Sequence, residues 1–124
     1  LYQSGRQLKI DGLRFGKAWA GGPKRRRGDL RTPEGHYIID QVRMAGRYRY
    51  LPALHISYPA PGDVERARKA GIDPGDAILI HGPPFGLPFN LPWEWTDGCI
   101  SMPLSDLTTL VRDTRPGTPV TIRP

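Results

Sequence analysis

Cysteine is nearly absent from this chain. Cys99 is the only one among 124 residues, so no internal disulfide can form, and cysteine usage does not separate an oxidising from a reducing compartment. Long apolar runs are missing too. Nothing approaches the roughly 18 residues of a membrane-spanning helix, so no span is expected and the chain reads as soluble as given. The opening residues Leu1 to Arg6 contain no apolar core of a secretory signal, which fits a mature or trimmed chain. Histidine is scarce: His36, His55 and His81 share no paired-ligand spacing with Cys99, so neither a zinc site nor a cofactor is expected. No repeat, low-complexity linker or compositional break divides the sequence. Its length suffices for one core but not two, so a single domain over residues 1–124 is expected.

Acidic residues are outnumbered, 12 against 18 Lys and Arg, for a formal charge of +6. Lys24 to Arg27 form the densest basic run, followed by Arg43, Arg47 and Arg49, then Arg66, Arg68 and Lys69. No aromatic interleaving of the RNA-recognition type, zinc-finger spacing or helix-turn-helix pattern accompanies them, which argues against a nucleic-acid partner. A solvated basic face is the plain reading, and attraction to an anionic polymer is the functional one.

What the chain does contain is concentrated between Ala77 and Pro103. Ala77-Ile78-Leu79-Ile80 is a fully apolar run of strand length, which predicts a central strand with His81 at its end. A side chain presented there is held by a rigid element, as a catalytic base must be. A thiol becomes a good nucleophile when an imidazole takes its proton, and nearby backbone N–H groups can hold the oxyanion formed on attack at a carbonyl. His81 and Cys99 could supply the first part, and the Asp97-Gly98-Cys99 turn the second. Between them, Pro83, Pro84, Pro88 and Pro92 alternate with Phe85, Leu87, Phe89, Leu91, Trp93 and Trp95, which excludes a regular helix or central strand. Such a stiffened apolar loop suits the wall or lid of a cleft, or packs its aromatics on the core.

Elsewhere the pattern is mainly that of strands. Gln7 to Ile10 and Leu13 to Phe15 alternate around Asp11-Gly12, predicting a hairpin, which Ala18 to Ala20 would extend before Gly21-Gly22-Pro23. Pro33 and Gly35 punctuate a turn before the strand His36 to Ile39, with Thr32 and Glu34 as turn-shaping residues. Val42 to Leu51 has no clean period and reads as an exposed connection or irregular hairpin. In Leu54 to Tyr58, Leu54, Ile56 and Tyr58 share one face. Asp63 is expected to cap a helix from Val64 to Ala70 with Val64 and Ala67 on its inner face, ended by Gly71. Ile100 and Met102 read as core. Ser105 or Asp106 is expected to cap a second helix, through Arg112, burying Leu107, Leu110 and Val111, and Pro119 to Ile122 reads as a last strand.

Four separated motifs carry a resemblance. His81 is followed after fourteen residues by Thr96-Asp97-Gly98-Cys99, and the segments Arg31-Thr32-Pro33-Glu34-Gly35, His55-Ile56-Ser57-Tyr58-Pro59 and Gly117 to Pro124 stand in order around it. Together, from about Leu8 to Pro124, they resemble the L,D-transpeptidase catalytic domain, the YkuD-type domain, in its YafK-like branch. Asp97 stands where many members carry a second His, and Ser101 where many carry Asn or Arg.

The resemblance implies a mainly β fold, a curved mixed β-sheet or sandwich with one or two short helices. It also implies a mechanism. Cys99 would attack the carbonyl between the third residue of a peptidoglycan stem peptide, usually meso-diaminopimelate, and the following D-Ala. His81 would be the base, and an amine or water would resolve the acyl-enzyme. Gly98, Gly82, Thr96 and Asp97 would form the oxyanion hole or orient the dyad, and Ser101, Tyr58 and Trp95 would meet substrate. The partners would be stem peptides as acyl donor and amine acceptor, with a wall-anchored protein as a further acceptor, in the periplasm or cell envelope. With Asp97 beside the thiol, its pKa would be raised unless the carboxylate turns away or meets a cation. A hydrolytic variant, acting as a carboxypeptidase or as an amidase that releases wall-bound protein, uses the same acyl-enzyme. A non-catalytic module binding peptidoglycan or another anionic polymer would need neither His81 nor Cys99.

Overall fold

The computed structural model describes residues 13–43, 52–84, 87 and 89–123, together with the backbone of 2–3 and 6–7. Two short strands, β1 (Tyr2–Gln3) and β2 (Arg6–Gln7), pair antiparallel. The remaining strands are β3 (Gly35–Arg43), β4 (Ala53–Ile56), β5 (Leu79–His81), β6 (Ile100–Ser101) and β7 (Thr118–Ile122). They form a curled mixed sheet in the order β6-β5-β4-β3-β7, a half-barrel, with two short helices, α1 (Pro61–Ala70) and α2 (Leu104–Asp113). Among these strand pairs, β5 and β6 alone run parallel. Their connection is the proline-rich loop, which contains no regular strand or helix among its described residues.

Alternation makes the core. Tyr37 and Ile39 of β3, Leu54 and Ile56 of β4, Tyr58 just beyond it, Ile80 of β5 and Ile100 of β6 bury one face against Leu107, Leu110 and Val111 of α2. Helix α2 sits there because those three positions share one side of a 3.6-residue period. The opposite face carries His36, Ile38 and Asp40, which are exposed, and His55, Leu79, His81, Cys99 and Ser101, increasingly covered toward β6.

Several local expectations are corrected. Helix α1 begins at Pro61, whose missing N–H suits the first helical position, so Asp63 lies inside the first turn, where its carboxylate accepts the Ala60 N–H at 3.0 Å. Its inner face is Asp63 and Ala67, while Val64 is exposed. Asp63 tolerates burial because Tyr37 and Arg66 also donate to it, at 3.0 and 2.7 Å. Helix α2 starts at Leu104 after Pro103, without a Ser105 or Asp106 cap. Trp19–Gly21 is a single 3-10 turn, not a strand. The hairpin expected at Asp11-Gly12 and most of the connection from Val42 to Leu51 lie outside the described residues. Gln7 pairs with Tyr2, and Arg14 joins the sheet edge by exchanging backbone bonds with Ser101, both 2.8 Å.

Candidate active site

The site is built where β5 ends and β6 begins. Ile80 pairs with Ile100 and His81 with Ser101, so the side chains of His81 and Ser101 rise from the same face. Two residues earlier along the same register, Cys99 stands opposite Leu79, whose N–H points at Sγ from 3.4 Å. His81 and Cys99 are therefore diagonal neighbours on one face, about 8 Å apart along the backbone from the strand spacing and rise.

His81 is held by a chain of polar contacts. Nδ1 lies 2.8 Å from Gly82 O. A carbonyl only accepts, so Nδ1 carries the proton and Nε2 is the basic nitrogen. The Ser101 hydroxyl lies 2.9 Å from the same Gly82 O and 2.7 Å from Asn90 Oδ1. Trp95 Nε1 donates to Asn90 Oδ1 at 3.1 Å, and the Trp95 ring meets His81 nearly edge-on, centroids 5.6 Å apart. Asn90 Nδ2 donates to Ser101 O at 3.1 Å, which pins the proline-rich loop over β6.

The turn before Cys99 is fastened by two threonines. Thr96 Oγ1 donates to Cys99 O at 2.6 Å and accepts the Gly98 N–H at 3.3 Å. Thr32 Oγ1 donates to Gly98 O and accepts the Gly16 N–H, both at 2.9 Å. Gly98 has φ +141°, and a Cβ there would lie 2.8 Å from Arg31 O, so only glycine fits. Asp97 points outward, largely exposed, and pairs with Lys17 at 3.2 Å.

Burial sets the protonation of the pair. It pushes the Cys99 thiol up, aided by the Asp97 charge and opposed by the Leu79 N–H and by Lys24. It holds His81 below the ordinary imidazole range, against the Gly82 hydrogen bond. Both shifts favour a neutral thiol beside a neutral imidazole. The thiol opens onto a cavity of about 250 Å³ lined by Lys24, Arg27, Asp76, Ala77 and Asp97 among others.

The structure brings His81, Gly82, Trp95, Thr96, Gly98, Cys99 and Ser101 together. It does not give every one the surface expected of it. Ser101 is wholly buried with its hydroxyl on Gly82 and Asn90, and so presents nothing to a ligand. Tyr58 is 2% exposed and donates to Pro74 O at 2.6 Å, beneath the sheet. The Gly98 N–H is occupied within the turn by Thr96. His36 and His55 lie away from the site, His36 with Thr121 and His55 with Asp40. Thr32, Asn90 and Lys24 were not legible as site residues: Thr32 reads as a turn residue, Asn90 has no neighbouring signal, and Lys24 is hidden in a basic run. Among the described residues no group of three or more His, Cys, Asp or Glu could hold a metal.

A curled mixed five-strand half-barrel with two short helices is the fold of this chain's structural neighbours, which are YkuD-type proteins. The L,D-transpeptidase catalytic domain (YkuD) family matches residues 1–122, and this chain belongs to it. It is 36% identical over 61 residues to YafK of Escherichia coli (strain K12), a candidate L,D-transpeptidase, covering 49% of this chain and 23% of that protein. The helical cell shape determining protein Pgp2 from Campylobacter jejuni superposes with a TM-score of 0.66 at 28% identity, over 88% of this chain and 36% of Pgp2. Bd1075 of Bdellovibrio bacteriovorus gives 0.60 at 23% identity, over 90% of this chain and 37% of its own, a likeness of fold alone. The matched segments thus cover about a quarter to somewhat over a third of the length of these relatives.

Proposed function

We propose that this chain is the catalytic unit of a cysteine-dependent L,D-transpeptidase acting on peptidoglycan stem peptides in the cell envelope. The observation that carries the reading is the register of β5 against β6, which sets His81 and Cys99 on one face with the imidazole tautomer fixed by Gly82 O.

The chemistry follows from that pair. His81 Nε2 takes the thiol proton as Sγ attacks the carbonyl of the third stem residue, so the ion pair forms during attack, as the neutral resting pair requires. The developing oxyanion is held by the backbone N–H of Cys99, since that of Gly98 is taken by Thr96. Collapse breaks the bond to D-Ala, His81 returns the proton to the leaving amine, and a thioester remains. An incoming amine of a second stem peptide or of a wall-anchored protein, deprotonated by His81, then forms the new amide and frees the thiol. Water in the amine's place gives hydrolysis. Trp95 closes one side of the imidazole, and Ser101 and Asn90 keep its carbonyl partner in place.

The test is mass spectrometry after incubation with a tetrapeptide-stem muropeptide, with Cys99→Ala alongside. A Cys99 acyl adduct or loss of D-Ala, absent in the variant, is expected, and the product mass distinguishes amine from water. An untouched muropeptide together with a thiol inert to iodoacetamide would overturn the reading in favour of a binding module.

A further inference from the structure

The loop 22–30 carries four consecutive cations, yet they are not one solvated patch. Lys24 is 4% exposed, which corrects the solvated reading of that residue. Its Nζ donates to Asp29 Oδ1 at 2.9 Å and to Arg26 O at 3.1 Å, while Asp29 also accepts backbone N–H groups of Arg25, Arg26 and Arg31. An ammonium has three donors, and this network uses two. Lys24 also forms part of the wall of the cavity onto which Cys99 opens. At its rim, Arg27 gives Nε to Asp73 and Nη1 to Asp76, which leaves Nη2 outside these pairs.

A buried ion pair is a weak stabiliser, because desolvation offsets most of its Coulomb energy. Its position beside the thiol gives it another use. A fixed, dry ammonium with one donor in reserve is preorganised for a carboxylate. The other charges lining the cavity, Asp76 and Asp97, disfavour a purely anionic ligand and suit one that carries an ammonium as well.

We propose that Lys24, with Arg27 at the rim, forms a carboxylate-binding site for the acyl donor beside Cys99. This rests on the reading of Cys99 as the acyl-transfer nucleophile. Two donor carboxylates have the required chemistry: the terminal one of the leaving D-residue, and the side-chain one of the residue whose carbonyl is attacked.

The experiment measures how fast neutral iodoacetamide alkylates Cys99 in the presence of N-acetyl-D-alanine or its amide, and of diaminopimelate or its side-chain amide. At least one acid should slow alkylation about fivefold more than its amide, and which one does so identifies the carboxylate. The difference should vanish when Lys24→Met is combined with Asp29→Asn, a pair chosen to leave no orphaned buried charge, should survive in Lys24→Arg, and should fall about twofold in Arg27→Gln. No acid–amide difference in the unmodified protein, or one that persists in the folded double variant, overturns the site. Should the double variant fail to fold by circular dichroism, Arg27→Gln decides, and an unchanged difference there overturns the proposal. Alkylation needs no turnover, so a failure to process muropeptides would strike the transferase reading and leave this result to stand by itself.

Discussion

One sheet is built here in two manners. β3 is paired along most of its length, with five residues facing β7 and four facing β4, in antiparallel ladders that carry the core residues Tyr37, Ile39, Leu54 and Ile56. β5 and β6 share only two paired residues, in parallel, and the functional side chains stand there. The long ladders hold the fold by backbone bonds and apolar burial. The short ladder serves register, and its precision comes from side chains clamped to backbone: Thr32 on Gly98, Thr96 on Cys99, Ser101 on Gly82. Stability and chemistry are therefore separable by substitution.

The sharpest way to break the comparison is at the thiol. Cys99→Ala should lower turnover of a stem tetrapeptide by at least about 10⁴-fold, as removal of a nucleophile does, while the melting temperature at pH 7 stays within a few degrees. Unfolding of the variant, or residual turnover within tenfold of the parent, would mean that the short ladder is structural after all. Ile39→Ala is the converse. Ile39 is 1% exposed in the middle of β3, and its truncation should cost about 2 to 5 kcal/mol in urea unfolding, with specific activity of the folded fraction unchanged. Equal loss of activity per folded molecule would show that the two regions are coupled.

How far the sequence could be read divides along the same line. Alternation made β3, β4 and β7 visible, and the apolar run ending at His81 announced β5, because burial of one or both faces leaves a period in the residues themselves. The pair was marked by the resemblance of His81 and Thr96-Asp97-Gly98-Cys99, with the flanking motifs, to a family signature, and not by its spacing alone. The clamps were hidden because they join residues far apart in the chain, Thr32 to Gly98 and Asn90 to Ser101, through loops without a period. Lys24 misled because charge suggests exposure, and it is instead buried against Asp29, a partner that the basic run around it does not reveal. Ser101 and Tyr58 misled in the opposite sense, since polar groups near a site look available until their acceptors are known.

A smaller effect tests the clamps. Ser101→Ala removes the single hydroxyl proton that Gly82 O and Asn90 Oδ1 share, so His81 keeps its tautomer but loses support for its partner. Turnover should fall about tenfold with KM little changed, and stability by about 1 kcal/mol. A rise in KM alone would instead put Ser101 in contact with substrate, against its burial. Ser101→Thr retains the hydroxyl but overfills a closed site, so it should not restore the rate.

The smallest expected effect is in the pH dependence of stability, and its sign follows from the two shifts. The folded state holds His81 neutral, so below the ordinary value of about 6.5 the unfolded chain binds the extra proton and stability falls with falling pH until the folded imidazole itself titrates. The folded state holds Cys99 protonated, so above about 8.5 to 9 the unfolded thiol ionises first and stability falls with rising pH until the folded thiol follows. Measured against the parent in urea from pH 5 to 10, His81→Gln should flatten the acid limb only, and Cys99→Ala the alkaline limb only. The acid limb of kcat/KM should accordingly lie below about 6.5, because the base is disabled only when His81 is protonated in the folded enzyme. An alkaline limb unchanged by Cys99→Ala would mean that the thiol ionises alike in the folded and unfolded chains, against the effect of burial; a change of the opposite sign would mean a thiolate favoured by folding, with its proton on His81 before substrate arrives. In that case the short parallel ladder would store a preformed ion pair, and the Lys17 partner of Asp97 would be the first residue to examine as its counter-charge.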